Sequence, residues 1–145
     1  MKLIGLKLPH PTRNQNGDAS RDCGGLWQAF TSENIAQKIP NKKSDNIYTV
    51  YYDYVSDHNG DYSYFIGCEV PENTPVPEGL HELYIPEQYY QIITAKGQMP
   101  DCIAAAWREI WSTPINRAYG FDLEVYDERS ADWSNAEVNI YLSIY

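Results

Sequence analysis

Glu124 is the residue whose type and setting most directly suggest chemistry. It stands in the run Phe-Asp-Leu-Glu-Val-Tyr at 121–126, whose β-branched and aromatic content reads as a strand. Period-two alternation puts Glu124 and Tyr126 on one face and Phe121, Leu123 and Val125 on the other. The apolar trio is expected to form the face on which helices pack, leaving Glu124 to look out from the opposite side. On a plain solvent face it would be an ordinary surface carboxylate. At the floor of an aromatic cleft it could instead anchor a ligand cation, each ring face adding roughly 0.5 to 2 kcal/mol. The ion pair itself is of order 4 kcal/mol at contact for an effective dielectric near 20, before desolvation. Together these suit a lipophilic cation. An unpaired carboxylate walled by rings also has its charged form disfavoured, so cation uptake is expected to release protons as the pH falls.

The composition supplies the rings. There are 13 Tyr and 4 Trp against 3 Phe among 145 residues. Tyr and Trp are over-used where a surface must be apolar yet selective, although tyrosine also has good strand propensity. The formal charge of −9 and a pI near 4.6 would repel a phosphate backbone or an anionic lipid surface, so direct nucleic-acid binding is not expected. No window approaches the roughly 20 apolar residues of a membrane span, and the stretch 1–9 is too short for a secretory signal. Cys23, Cys68 and Cys102 are an odd number at spacings that match no zinc or redox motif, which points to reduced thiols and a cytoplasmic protein. His10, His58 and His81 form no metal-binding pattern, and no phosphate loop, nucleophile elbow or dinucleotide fingerprint occurs. Asp57, Asn59 and Asp61 around Gly60 superficially suggest a calcium loop, but position twelve is Cys68, so the stretch reads as a turn. No metal and no cofactor are expected.

One domain is expected, because 145 residues suffice for a single core and not for two. Residues 1–8 read as a strand stopped by Pro9 and Pro11. Cys23, Leu26, Trp27 and Phe30 recur at helical spacing, predicting a helix that ends before Pro40. Stretches 47–55 and 61–70 form a hairpin with an Asn59-Gly60 turn signal. After a proline-marked loop, 80–97 reads as extended chain interrupted at Pro86. Ile103, Ala106, Trp107, Ile110 and Trp111 predict a second helix, opened by Pro100 and stopped at Pro114. Two strands, 121–127 and 136–145, follow. Strand, Trp-bearing helix, strand, strand thus occurs twice, over about 1–72 and 80–145, with Leu26-Trp27 matching Ala106-Trp107 and Tyr52-Asp53 matching Tyr126-Asp127. The expected class is α+β: tandem βαββ modules with pseudo-twofold symmetry, an antiparallel sheet with two helices on one face, and a concave site at the seam.

The ordered set Ile4-Gly5, Leu26-Trp27-x-x-Phe30, Ile39-Pro40-Asn41, Tyr48-Thr-Val-Tyr-Tyr-Asp-Tyr54, Gly60-Asp61-Tyr62, Ile66-Gly67-Cys68-Glu69-Val70, Pro77-Glu78-Gly79, Ala106-Trp107-x-x-Ile110-Trp111 and Phe121 to Tyr126 resembles the GyrI-like small-molecule-binding domain. It resembles especially the free-standing, integron-associated type of bacterial transcription-activator effector-binding protein. The resemblance implies the tandem βαββ fold, an aromatic cleft and an acidic residue that meets cationic, often multidrug-like, ligands. The family's pocket glutamate falls on Glu124, with Leu123 where Phe is more usual. Pocket rings carried over by the likeness are Trp27, Phe30, Tyr51, Tyr64, Trp107, Trp111 and Tyr126, with Tyr84 and Tyr141 behind them. Relatives are often fused to a helix-turn-helix region, so a separate DNA-binding regulator chain is a candidate partner beside the cationic small molecule.

Three functions remain open at this level. The first is a sensor or sequestering module for amphipathic cations. The second is a GyrI-like hydrolase acting on electrophilic small molecules, with Glu124 as base. The third is an inhibitor of a protein partner through the acidic surface.

Overall fold

The computed structural model describes residues 1–145. In chain order the elements are β1 (Lys2–Lys7), α1 (Asp18–Ser32), α2 (Ile35–Lys38), β2 (Ile47–Tyr52), β3 (Ser63–Val70), β4 (His81–Tyr84), β5 (Tyr89–Gly97), α3 (Asp101–Ser112), β6 (Asp122–Tyr126), a 3-10 turn (Glu128–Ser130) and β7 (Ala136–Ile144). The apolar run expected to make one helix makes two. Asn34 turns the chain into the left-handed region (φ 51°) between α1 and α2, a conformation asparagine tolerates better than most residues. Helix α3 ends where Thr113 must adopt an extended conformation ahead of Pro114, since the proline ring excludes the helical region for the residue before it.

The seven strands form one antiparallel sheet in the order β4-β1-β3-β2-β6-β7-β5. Omitting β4, the order is palindromic: β1-β3-β2 from the first βαββ unit meets β6-β7-β5 from the second. The two units join where β2 pairs with β6, with Thr49 opposite Glu124 and Tyr51 opposite Asp122. The match of Tyr52 with Tyr126 does not survive as a register. Tyr52 packs on the far side of the sheet with Leu123, whereas Tyr126 points to the helices against Trp27. Strand β4 pairs with β1, so it extends the first unit.

Gly5 lies opposite Gly67 in the β1–β3 register, and the reason for both glycines is contact. A Cβ on Gly5 would run into the Ile66 carbonyl oxygen, and one on Gly67 into that of Ile4. The backbones of β1 and β3 approach as closely as they do only because neither residue carries a side chain.

Helices α1 and α3 lie on the same side of the sheet, each over its own half. Under α1 are Ile4, Phe30, Tyr64, Ile66, Cys68 and Val70; under α3 are Ala95, Trp107, Ile110, Ile140 and Leu142. Leu3, Val50, Phe65, Ile85 and Leu123 fill the other face, with Tyr90, Phe121 and Tyr141 around them. This reverses the expected face assignment. The Leu123 side is the helix-free side, and Glu124 faces the helices.

Two apolar faces are possible because the sheet curls. Flat, its outer strands β4 and β5 would be about 29 Å apart, yet the chain from Tyr84 to Tyr89 reaches at most about 18 Å. The edges must therefore bend toward each other around the helix-free face, and the connecting residues cross it. Ile85 N–H donates to the Met1 carbonyl at 2.8 Å. Gln88 donates to the Phe121 carbonyl at 2.7 Å and accepts from the Phe121 N–H at 3.2 Å.

Candidate functional site

Between α1 and α3, above the β2–β6 seam, lies a cavity of about 1020 Å³. That is at the upper end of the range for small-molecule sites. Its floor comes from the two central strands and its walls from the inner faces of the two helices. Trp27, Tyr51, Tyr64, Trp107, Trp111 and Tyr126 all line it, and so does Glu124.

Glu124 is 1% exposed, yet it is fully hydrogen-bonded. Oε1 accepts from Thr49 Oγ1 at 2.7 Å and from Tyr126 OH at 2.7 Å. Oε2 accepts from Tyr51 OH at 2.9 Å and from Trp107 Nε1 at 2.6 Å. The expectation of an unpaired carboxylate is corrected: two donors meet each oxygen, which occupies the four lone-pair directions a carboxylate offers. All four donors are neutral. No ion pair of the chain includes Glu124. Hydrogen bonds of this kind, each worth about 1.5–3 kcal/mol, can hold a carboxylate in an apolar interior without cancelling its charge.

The donor tyrosines are fixed in their neutral form. Burial first, and then the negative charge of Glu124, hold the hydroxyls of the donors Tyr51 and Tyr126, and of the neighbouring Tyr64, well above the ordinary tyrosine range. The rings also brace one another. Trp27 meets Tyr126 edge to face at 4.9 Å between centroids. Tyr51 touches Tyr64 and Trp107, each at 5.0 Å. At one side of the cavity Trp111 stacks on His58, 5.7 Å apart and within 8° of parallel.

A second buried carboxylate, Asp122, occupies the same face of β6. Its Oδ2 accepts from Tyr54 OH at 2.7 Å and from Arg117 Nη2 at 2.9 Å, and its Oδ1 from the Ser143 N–H and hydroxyl, both at 2.8 Å. Arg117 and Tyr54 are part of the cavity wall. Burial, then the Asp122 charge, push the Tyr54 hydroxyl well up.

With this geometry in view, the comparisons with known proteins are specific. The Cass2 family of integron-associated effector binding proteins matches residues 1–144. The chain belongs to this family. It is 33% identical over 139 residues to the transcriptional regulator BrlR of Pseudomonas aeruginosa, a match that takes in 89% of this chain and 49% of BrlR. The chain thus spans about half the length of that relative. It is 25% identical over 128 residues to the putative transcriptional regulator protein YobU of Bacillus subtilis, covering 86% of this chain and 80% of YobU. Among solved structures, an integron cassette protein from the mobile metagenome of Vibrio cholerae is similar with a TM-score of 0.68 and 24% identity, over 98% of this chain and 90% of that one. SAV2435 bound to tetraphenylphosphonium is similar with a TM-score of 0.79 and 16% identity, over 100% of this chain and 88% of that one. These structural likenesses show that the chain shares the α+β fold of both proteins.

Three of the rings named from sequence lie elsewhere in this Cass2 protein. Phe30 is 3% exposed and belongs to the core beneath α1; it shares the helix stripe with Trp27, but its position points down at the sheet and not across the cavity. Tyr84 is exposed on the edge strand β4, where the Lys2 ammonium lies 5.5 Å from its ring. Tyr141 alternates to the helix-free face and meets Tyr90 edge to face at 5.7 Å. Conversely, sequence reasoning passed over Thr49, Tyr54, Tyr62 and Arg117. Thr49 would have followed from the register, because it stands directly opposite Glu124. Arg117 lies in an irregular segment whose sequence carries no signal for where it folds.

Proposed function

We propose that the chain is an effector-binding module whose cleft takes amphipathic organic cations, with Glu124 as the charge anchor and the surrounding rings as walls. The observation that carries this is the state of Glu124: a buried carboxylate, satisfied by four neutral donors, with no protein cation beside it, in a ring-lined cavity large enough for a drug-sized guest. A negative charge in such a setting has an unscreened field that an incoming cation would meet at low effective dielectric. SAV2435, which shares the fold, holds tetraphenylphosphonium, a cation of the class this cleft suits.

The saturated carboxylate narrows the ligand further. With both oxygens already accepting two hydrogen bonds, a primary ammonium would have to displace a tyrosine, an indole or a threonine to donate its own. A quaternary ammonium, a phosphonium or a delocalised aromatic cation needs no such bond and gains from the charge and the π faces alone. The same saturation speaks against Glu124 as a general base, since a water to be activated would find no free lone pair.

The relatives BrlR and YobU carry regulator names, which supports a role in transcription control, with the cation as the signal. At a net charge of −9 this domain would act on DNA through a DNA-binding region or partner and not by its own surface. The three free cysteines fit a reducing cytoplasm.

Calorimetric titration of the protein with tetraphenylphosphonium tests the proposal, with Glu124→Gln as the comparison. The expected result is binding by the wild type, at least about 30-fold weaker binding by the variant, and recovery of unchanged compound. Equal affinity in the two proteins would overturn it.

A further inference from the structure

Asp122 and Glu124 share one face of β6, about 7 Å apart along the strand, and are 0% and 1% exposed. Their surroundings differ in one respect. Glu124 has only neutral donors, whereas Asp122 has a cation, Arg117, at 2.9 Å. That guanidinium is itself buried, with its side chain 5% exposed, and it forms part of the cleft wall. It is held between the Tyr119 ring, 4.2 Å from its central carbon, and the Tyr54 ring at 5.8 Å. Only Nη2 is engaged by Asp122. Nε and Nη1 are buried and have no hydrogen-bond partner, an expensive condition for charged donors. From Glu124 a continuous path of rings leads to this group: Trp107 to Tyr51 at 5.0 Å, Tyr51 to Tyr62 at 5.7 Å, and Tyr62 to Tyr54 at 5.6 Å.

Resting on the cation reading of Glu124, we propose that Arg117 gives the cleft a second, positive pole, so that its preferred occupant is a singly charged organic cation whose far end carries an acceptor oxygen such as a ketone or ether. The cation takes the Glu124 end. The oxygen takes the Arg117 end, where Nε and Nη1 have no partner; both are closed to solvent, so the ligand must part the rings packed on the guanidinium to reach them. A second positive charge at that end faces the guanidinium, whose own charge is only locally balanced by Asp122, and is rejected by about tenfold or more at an effective dielectric near 20. One acidic strand would then discriminate by the number of charges on a ligand as well as by their sign.

The test is a set of three butyl-triphenylphosphonium ligands whose tails end in a methyl group, a methyl ketone or a trimethylammonium, titrated calorimetrically into the wild-type protein. The expected order is ketone tightest, methyl a few-fold weaker, and trimethylammonium at least about tenfold weaker than methyl. In the double variant Arg117→Met/Asp122→Asn, which removes both charges together, the three are expected to fall within about threefold of one another. Should that variant fail to fold, Arg117→Lys retains the charge without the planar fork, and it should keep the rejection of trimethylammonium while losing the gain from the ketone. A wild type that binds the dication as tightly as the methyl ligand overturns the proposal. If in that case the methyl ligand still binds and Glu124→Gln still weakens it, the cation reading stands; if none of the three ligands binds, both fall.

Discussion

The indole N–H of Trp107 donates to Glu124 Oε2 at 2.6 Å, which ties the middle of α3 to the central strand of the sheet. Trp111, one turn further along the same helix, lines the same cavity but only stacks on His58. The two tryptophans should therefore respond differently to replacement. Trp107→Phe leaves a buried carboxylate short of one donor and is expected to cost about 1.5–3 kcal/mol of stability, whereas Trp111→Phe is expected to cost less than about 1 kcal/mol. Urea denaturation of the two variants checks this, and equal midpoints would mean that the indole bond adds nothing.

Most of the secondary structure was legible because the residues that punctuate it act locally. Pro100 and Pro114 bracket α3, and Asn59-Gly60 marks the turn region between β2 and β3, whatever the rest of the chain does. The parity of β6 was legible too: Glu124 and Tyr126 do share a face. Which face that is was not, because an apolar trio such as Phe121, Leu123 and Val125 calls for burial without naming what buries it. Here the curled sheet covers it, through the link at Ile85 and Gln88, and the helices cover the other side. The same gap explains Tyr141 and Phe30, whose ring type fits a cleft while their alternation and helix position send them to the two cores. Arg117 was invisible because, although Asp122 is only five residues away, the irregular segment that turns the guanidinium back onto β6 has no periodic pattern to announce it.

Alkaline conditions should unfold the protein cooperatively. Burial, with neighbouring negative charge second, raises the hydroxyls of Tyr51, Tyr54, Tyr64 and Tyr126 well above their ordinary range. Below about pH 10 these groups are protonated in both the folded and the unfolded chain, so stability is flat with respect to them. Above it the unfolded chain ionises and the folded one does not, so stability is lost as the pH rises, by up to about 5 kcal/mol per pH unit for the four together. Tyrosinate absorbance and circular dichroism followed against pH should change together in one steep step. Independent tyrosine ionisation with the fold intact would contradict this.

Gly5→Ala should be among the most damaging single-methyl additions in the chain. The new Cβ would meet the Ile66 carbonyl oxygen and the backbone of Gly67, and neither can rotate away as a side chain could. Overpacking of this sort costs about 1–3 kcal/mol or more. Gly25→Ala is the control, since a Cβ there meets nothing within 4 Å and the change favours a helix by about 1 kcal/mol. Thermal melts should move in opposite directions.

The division of rings between cleft and core makes the last prediction. Trp27 lines the cavity and leans on Tyr126, a direct partner of Glu124. Trp27→Ala therefore removes a π face from beside the anchor, and binding of tetraphenylphosphonium is expected to weaken by roughly 3- to 30-fold, the equivalent of one cation–π contact. Tyr84 is on the outer strand β4, against Lys2, and Tyr141 is beneath the sheet among Tyr90 and Leu123. Tyr84→Ala should leave the affinity unchanged, because its exposed ring sits at the outer edge of the sheet, three strands from β2, and Tyr141→Phe likewise, because its ring cannot be reached from the helix side without passing through the sheet. The three affinities, measured by fluorescence titration, separate the cleft ring from the edge ring and the ring behind the sheet; a loss at Tyr141 as large as that at Trp27 would place the ligand on the wrong side of β6.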